Sequence, residues 1–280
     1  MSMRTLKEAL LDAQAQGLAR IDAQLLLLHT LGREPNDRAW LLAHDTDPLP
    51  ADSDATFESL SQRRLAGEPV AYLTGHKAFY GLQLRVDARV LDPRPDTETL
   101  VDWALAVLAA QAKPMVLDLG TGSGAVALAI QHQRPDAEVH AVDASPGALA
   151  VAQANAQALG LPVRFWNGSW FQPVPTELRF NTIVSNPPYV AEGDPHLRAL
   201  THEPLSALTS GADGLDDIRT IVAQAGDHLL PGGWLLLEHG HDQGAAVRAL
   251  LTAAGFEAVS TRTDLPGLDR CSGGQWAARG

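Results

Sequence analysis

The stretch Val116-Leu117-Asp118-Leu119-Gly120-Thr121-Gly122-Ser123-Gly124 constrains this chain more than any other, because three alternating glycines stand between an apolar run and a helix-forming one. Glycine reaches φ > 0 without steric cost and lets a ligand come close to the main chain. Free N–H groups at the start of the helix favour an anionic group such as a carboxylate or phosphate. The next apolar segment ends in Asp143, whose carboxylate at a strand tip can accept both hydroxyls of a ribose. The combination predicts a nucleoside cofactor. Gly120, Gly122 and Ala125 also satisfy the looser dinucleotide pattern, so hydride transfer with NAD stands as an alternative at this point. Asp118 fits a holder of the loop amides, a partner for a cofactor amine, or a satisfied core carboxylate.

Around this loop the hydrophobic period switches repeatedly. Residues 115–119, 138–142, 163–166, 182–185 and 234–238 read as strands, followed by closing strand-like segments. Residues 124–131, 145–159, 216–229 and 244–254 read as helices, with Ser145 as cap and Pro146 at the first position of the second. Such alternation predicts an α/β fold with a doubly wound, mostly parallel sheet. Upstream the pattern is helical. Thr5 and Glu8 have capping-box spacing ahead of a first helix stopped by Gly17, and a second runs over 21–31. Asn36 or Asp37 is placed to cap a third, and Ser53 a fourth ending at Gly67. Leu82, Leu84 and Val86 then alternate with polar residues, and Tyr80-Gly81 can turn a hairpin. After Pro93-Arg94-Pro95 a helix is expected from Thr97 to about Ala112. The organisation read from this is a helical bundle over 1–75, a hairpin connector over 76–93 and a sheet domain over 94–280.

With 280 residues the chain suits one substantial domain and a smaller companion. It carries 21 basic against 33 acidic residues, a net charge of −12 that repels a phosphate backbone at long range. No direct binding of nucleic acid is expected, Arg63, Arg64 and Lys77 being candidates for a local basic patch. No apolar run approaches the roughly 18 residues that cross a bilayer, and residues 1–20 lack the pattern of an export signal. A single cysteine, Cys271, excludes an internal disulfide, in keeping with a reducing cytoplasm. No membrane partner is expected.

The strand at 182–185 runs straight into Asn186-Pro187-Pro188-Tyr189, at the edge where open α/β sheets hold ligands. An amide or exocyclic amine nitrogen is a feeble nucleophile because its lone pair is delocalised. Methylating it requires holding the NH₂ group in line with an electrophilic methyl. Asn186 offers a side-chain carbonyl and Pro187 a backbone carbonyl, two acceptors for the two N–H bonds. The prolines add stiffness, and Tyr189 can stack on the planar group. After a glycine loop and an acidic strand tip, the tetrad points to methyl transfer from S-adenosylmethionine onto a planar NH₂. An adenine amine needs the same two acceptors, so an N6-adenine methyltransferase acting on nucleic acid is the rival; the net charge weighs against it.

Here the sequence resembles the peptide chain release factor N5-glutamine methyltransferases. The resemblance spans nearly the whole chain: the helical N-terminal region, Gly75, Pro93-Arg94-Pro95-Asp96-Thr97-Glu98, Gly120–Gly124, Asp143, Trp170-Phe171, Asn186–Tyr189, Glu203-Pro204 and Glu238-His239-Gly240. It implies a class I S-adenosylmethionine-dependent methyltransferase fold. It implies methyl transfer to the glutamine of the Gly-Gly-Gln tripeptide in class-1 release factors, the protein partner. By this match Gly120, Thr121, Gly122, Ser123 and Gly124 hold the methionine end of S-adenosyl-L-methionine, Asp143 the ribose and Trp170 the adenine. Asn186, Pro187, Pro188 and Tyr189 are the catalytic residues that hold the substrate glutamine, Asn186 also meeting the cofactor, with no metal. The relative that methylates a ribosomal-protein glutamine shares the tetrad, while Pro93–Glu98 resembles the release-factor branch. Ser169 replaces an aspartate frequent in the family, leaving the adenine N6 acceptor unassigned, and Asp92 stands where an apolar residue is common. Three features lie outside this scheme: the pair His239 and His241, the chain's own Gly273-Gly274-Gln275, and Cys271.

Overall fold

The computed structural model describes residues 3–277; residues 1–2 and 278–280 of the outer spans named above lie outside it. It divides into two compact units. One comprises the chain through His76 with Ala199–His202, the other Lys77–Arg198 and the chain from Glu203 onward.

The first unit holds five helices, α1 (Leu6–Ala15), α2 (Arg20–Thr30), α3 (Arg38–Ala43), α4 (Ala51–Leu65) and α5 (Val70–Thr74). The capping box forms: Glu8 N–H donates to Thr5 Oγ1 at 3.2 Å and Thr5 N–H to Glu8 Oε2 at 2.8 Å. Leu26, Leu27 and Leu28 of α2 pack with Leu6, Leu41 and Phe57 in its core. Two caps differ from expectation. Asp37 precedes α3, but its carboxylate is taken by Arg33 at 2.6 Å, and Ser53 lies inside α4, which starts after an extended Pro50. The five-residue α5 is too short to show a period.

In the second unit, β1 (His76–Phe79) and β2 (Leu82–Arg85) form the hairpin. Tyr80 and Gly81 both take positive φ, +48° and +79°, as a type I′ turn requires. Tyr80 is held in that left-handed conformation by α6 (Glu98–Leu108): its N–H donates to Glu98 Oε1 at 2.9 Å and its phenol to Asp102 Oδ1 at 2.6 Å. α6 stops short of Ala112 because Arg134 draws the carbonyls of Leu108 and Gln111 to its guanidinium, each at 2.6 Å.

Seven strands build the main sheet: β3 (Met115–Leu119), β4 (Glu138–Asp143), β5 (Val163–Asn167), β6 (Phe180–Ser185), β7 (Leu229–Glu238), β8 (Phe256–Thr263) and β9 (Asp269–Trp276). Their order is β5-β4-β3-β6-β7-β9-β8, parallel except for β9. α7 (Ala125–Gln133), α8 (Pro146–Leu159), α9 (Asp216–Ala225) and α10 (Gly244–Ala253) connect them. The strand period of two divides the core. Val116 packs with α6 and α7 residues on one face, whereas Leu117 and Leu119 pack with α9 and α10 residues on the other. This is the expected doubly wound α/β sheet.

Gly273 and Gly274 sit within β9, opposite Leu236 and Leu235. A Cβ on Gly273 would lie 2.8 Å from the Leu235 carbonyl oxygen, so close strand packing accounts for the glycines. Gln275 pairs with Trp234, which pairs with Thr182, three residues back from the carboxyl end of β6. Its amide donates to Gly232 O at 2.9 Å.

Candidate active site

β3 and β6 are parallel neighbours with Leu119 in register with Ser185, so Gly120 and Asn186 leave the sheet side by side. β4 flanks β3 on its other side, which makes this the switch point where open sheets bind ligands. A cavity of about 320 Å³ opens there.

Gly120, Gly122 and Gly124 all take positive φ, at +71°, +56° and +84°. The loop is tied from several sides. The N–H groups of Gly120 and Thr121 donate to Val142 O, and that of Gly122 to Asp143 Oδ2 at 2.8 Å. Asp118 Oδ2 accepts the Thr121 hydroxyl at 2.6 Å and the Ala127 N–H at 3.2 Å. Of its three possible roles, Asp118 therefore takes that of loop holder. Burial pushes its carboxyl up to about 7, against the pull of those two donors. Gly124 serves packing, since a Cβ there would stand 3.0 Å from Leu128 Cδ1 and 3.3 Å from Ala152 Cβ. Among the described residues, the N–H groups of Ser123, Ala125 and Val126 at the start of α7 have no hydrogen-bond partner. They suit an anion.

Asp143 takes one N–H on each oxygen, from Gly122 and from Ser145 at 2.8 Å, and keeps lone pairs for further donors. Its burial raises the carboxyl above the ordinary value. Trp170 takes φ +48°, rare for a bulky residue, and its ring lies over Gly120, 3.4 Å from where a Cβ would stand. Gly120, Thr121, Gly122, Ser123, Asp143, Trp170, Asn186 and Pro188 line the cavity; Gly124, Pro187 and Tyr189 do not.

The tetrad is fastened at both ends. Ser185 Oγ donates to Leu119 O at 2.7 Å before it. After it, Val190 N–H donates to Leu208 O at 2.8 Å and accepts at its carbonyl from Ser210 N–H at 3.0 Å. Gln243 Nε2 donates to Tyr189 O at 3.0 Å. Within it, Asn186 Nδ2 donates to Thr97 Oγ1 at 3.3 Å, and the Tyr189 hydroxyl to Glu238 Oε1 at 3.4 Å. Burial, reinforced by Glu238, raises the Tyr189 phenol above its ordinary range. Among the described residues no hydrogen bond ends on Asn186 Oδ1 or on the Pro187 carbonyl, the two acceptors the chemistry asks for.

The remaining features resolve into structure. His239 Nδ1 donates to Gly240 O at 2.8 Å and Nε2 accepts from Ser272 Oγ at 2.7 Å, a neutral tautomer fully engaged in the core. Cys271 is buried and its thiol is pushed well above the usual value. Asp92, unusual in sequence, is buried against Lys77 at 3.1 Å. Arg63 and Arg64 are likewise engaged, with Glu68 and Asp22.

Residues 97–260 match the model of the methyltransferase small domain, and residues 4–75 that of the PrmC N-terminal domain. The release factor glutamine methyltransferase of Bordetella pertussis is 50% identical over 97% of this chain and 99% of the relative. That of Xylella fastidiosa strain Temecula1 is 51% identical over 95% and 97%. This chain belongs to the release factor glutamine methyltransferase family. Its fold is that of solved methyltransferases. One from Pyrococcus furiosus matches with a TM-score of 0.53 and 17% identity over 79% of this chain and 99% of that one. The 16S rRNA N2 G1207 methyltransferase of Thermus thermophilus, solved with AdoMet and guanosine, matches at 0.54 and 21% over 72% and 49%.

In this family member the cavity also holds residues to which no sequence motif pointed by itself. Thr97, Pro204, Ser206 and Asp217 line the cavity beside the residues named above. Thr97 and Pro204 stand in segments that carry the family resemblance; Ser206, between strands, follows no period, and Asp217, in the first turn of α9, reads in sequence as an ordinary acidic helix start. Among the described residues no helix is long and apolar enough to cross a membrane.

Proposed function

We propose that this chain transfers a methyl group from S-adenosyl-L-methionine to the side-chain amide nitrogen of the glutamine in the Gly-Gly-Gln tripeptide of class-1 release factors, in the cytoplasm. One observation carries the reading: Asn186 leaves the sheet beside Gly120 and lines the same cavity, with its Oδ1 and the Pro187 carbonyl free to accept.

The residues present fit the cofactor. Unpartnered N–H groups at Ser123, Ala125 and Val126 suit a carboxylate, Asp143 has lone pairs for a diol, and Trp170 offers a planar apolar face. Asp143 and Asp217 line the cavity against the single cationic side chain of Arg89, a balance that leaves the lining acidic and favours a cation. When bound, S-adenosylmethionine would supply an electrophilic methyl on a sulfonium with a neutral thioether as its leaving group, and the one proton shed by the methylated amide nitrogen would pass out to bulk solvent. Asn186 Oδ1 and Pro187 O accept the two N–H bonds of the glutamine carboxamide and aim its nitrogen; Pro187 and Pro188 keep those acceptors stiff. Orientation and exclusion of water account for most of the acceleration.

The N-terminal helical unit contributes to docking, since a lone glutamine could not be told from any other. The test is to incubate the protein with S-adenosylmethionine and a purified class-1 release factor and map the product peptides. One methyl on the tripeptide glutamine, lost in a Gln→Ala substrate, is expected; methyl appearing in DNA or RNA instead would overturn the reading.

A further inference from the structure

An adenosine ligand carries one mark that separates it from the 6-oxo purine nucleosides: a 6-amino group, which donates, where inosine and guanosine carry an oxygen, which accepts. A carboxylate accepts only, so at that edge it takes the first and repels the second. A hydroxyl turns to suit either. In this chain Ser169, the cavity residue before Trp170, offers only a hydroxyl.

We infer that Asp217 is the acceptor that reads the 6-amino group of the cofactor's adenine, beside the face of Trp170. This deepens the methyl-transfer reading above and rests on its cofactor. Among the described residues, three carboxylates line the cavity, those of Asp118, Asp143 and Asp217. Strand alternation separates them. Leu117, Leu119 and Val142 belong to the core cluster against which Trp170 packs, so Asp118 and Asp143, each one residue along its strand, stand on the opposite face. Both also have work in the loop, Asp118 accepting from Thr121 and Ala127, and Asp143 from Gly122 and Ser145. Asp217 is on the Trp170 face: Leu215 and Ile218, which flank it at the start of α9, pack in the same cluster.

The Asp217 carboxylate is at hand for a ligand. Among the described residues it makes no hydrogen bond or ion pair, whereas the adjacent Asp216 accepts from Arg219 at 2.9 Å. The backbone beneath it is fixed. Asp217 N–H donates to Ser210 Oγ at 2.8 Å, Ser210 is 3% exposed, and Ser210 N–H donates to Val190 O at 3.0 Å. Val190 follows Tyr189, so the purine acceptor and the tetrad are carried on one hydrogen-bonded frame. An adenine against Trp170 with its amine on Asp217 is held by face and by edge. The other hydroxyl of this wall, on Ser206, cannot by itself tell an amine from an oxo group.

The test is calorimetric and needs no turnover. S-adenosylhomocysteine and S-inosylhomocysteine are titrated into wild type, Asp217→Asn and Asp217→Ala. The hydrogen bond that Asp217 makes in the fold comes from its backbone, so both variants keep it, and melts without ligand check that they do. One hydrogen bond to a charged group is worth roughly tenfold or more in affinity. Wild type is expected to bind the adenosyl ligand at least about tenfold more tightly than the inosyl one, and both variants to lose about tenfold of that preference. Asparagine can also turn its NH₂ toward an oxo group, so Asp217→Asn should bind the inosyl ligand more tightly than wild type does. Equal affinity of wild type for the two ligands, or a preference in both variants unchanged from wild type, would overturn the inference and leave the functional reading intact. If the variants lose the preference as expected but wild type methylates no release factor, the functional reading fails and the role of Asp217 stands.

Discussion

Gly214 lies against the carbonyl of Tyr189 so closely that a methyl group on its Cα would fall well inside van der Waals contact of that oxygen, and 2.8 Å from Gln243 Nε2. With φ +75° the position also disfavours any side chain. Gly214→Ala should therefore displace the end of the tetrad. Stability should fall by about 1–3 kcal/mol and turnover by on the order of tenfold to a hundredfold, with cofactor affinity little changed. Thermal melts, calorimetry and methyl-transfer rates on one preparation check this; unchanged turnover would show that the tetrad does not depend on this packing.

The same logic at Gly120 predicts a different phenotype. Its φ of +71° and the Trp170 ring 3.4 Å from a would-be Cβ mean that Gly120→Ala strains the loop and pushes the ring. A left-handed alanine costs about 1–2 kcal/mol, so cofactor affinity should drop roughly tenfold, read by Trp170 fluorescence on titration. A variant that binds as tightly as wild type would remove the loop from the cofactor site.

Both positions show what the sequence could and could not tell. The glycine loop, Asp143 and Asn186 were legible because each follows a strand whose period of two is read directly, and a strand's end fixes where the next residue goes. Gly214 follows no strand. Its role depends on a loop brought against Tyr189 by the fold, and Ser206 shares that difficulty. Caps failed where a competing partner existed: Asp37 has the right identity for α3, yet Arg33 takes its carboxylate. α6 ends early through the reach of Arg134, a contact that no local pattern records. The chain's own Gly-Gly-Gln shows the converse, a motif whose glycines answer strand packing in β9.

Asp118 gives the fold a pH dependence. Its carboxyl is raised to about 7 by burial, so over the window from about 4 to about 7 the folded protein keeps a proton that the unfolded chain releases. Its contribution is thus fully present below about pH 4 and is lost as the pH rises through about 7. Glu238, also raised to about 7, acts in the same direction. Asp87, held low by its hydrogen bonds to Arg89, titrates below this window. The change in melting temperature between pH 5.5 and pH 8, referred to the Asp118→Asn variant, should show wild type gaining stability on acidification relative to the variant. Parallel curves would mean that Asp118 does not retain its proton in the fold.

The account turns on Asn186 as acceptor for the glutamine amide, and single-turnover methyl transfer to a class-1 release factor by wild type and Asn186→Ala, paired with calorimetric cofactor affinity, tests it most directly. The expected result is transfer at least a hundredfold slower in the variant with S-adenosylmethionine affinity within a few-fold, as loss of alignment at the reacting atoms demands. Transfer at the wild-type rate by Asn186→Ala would contradict it.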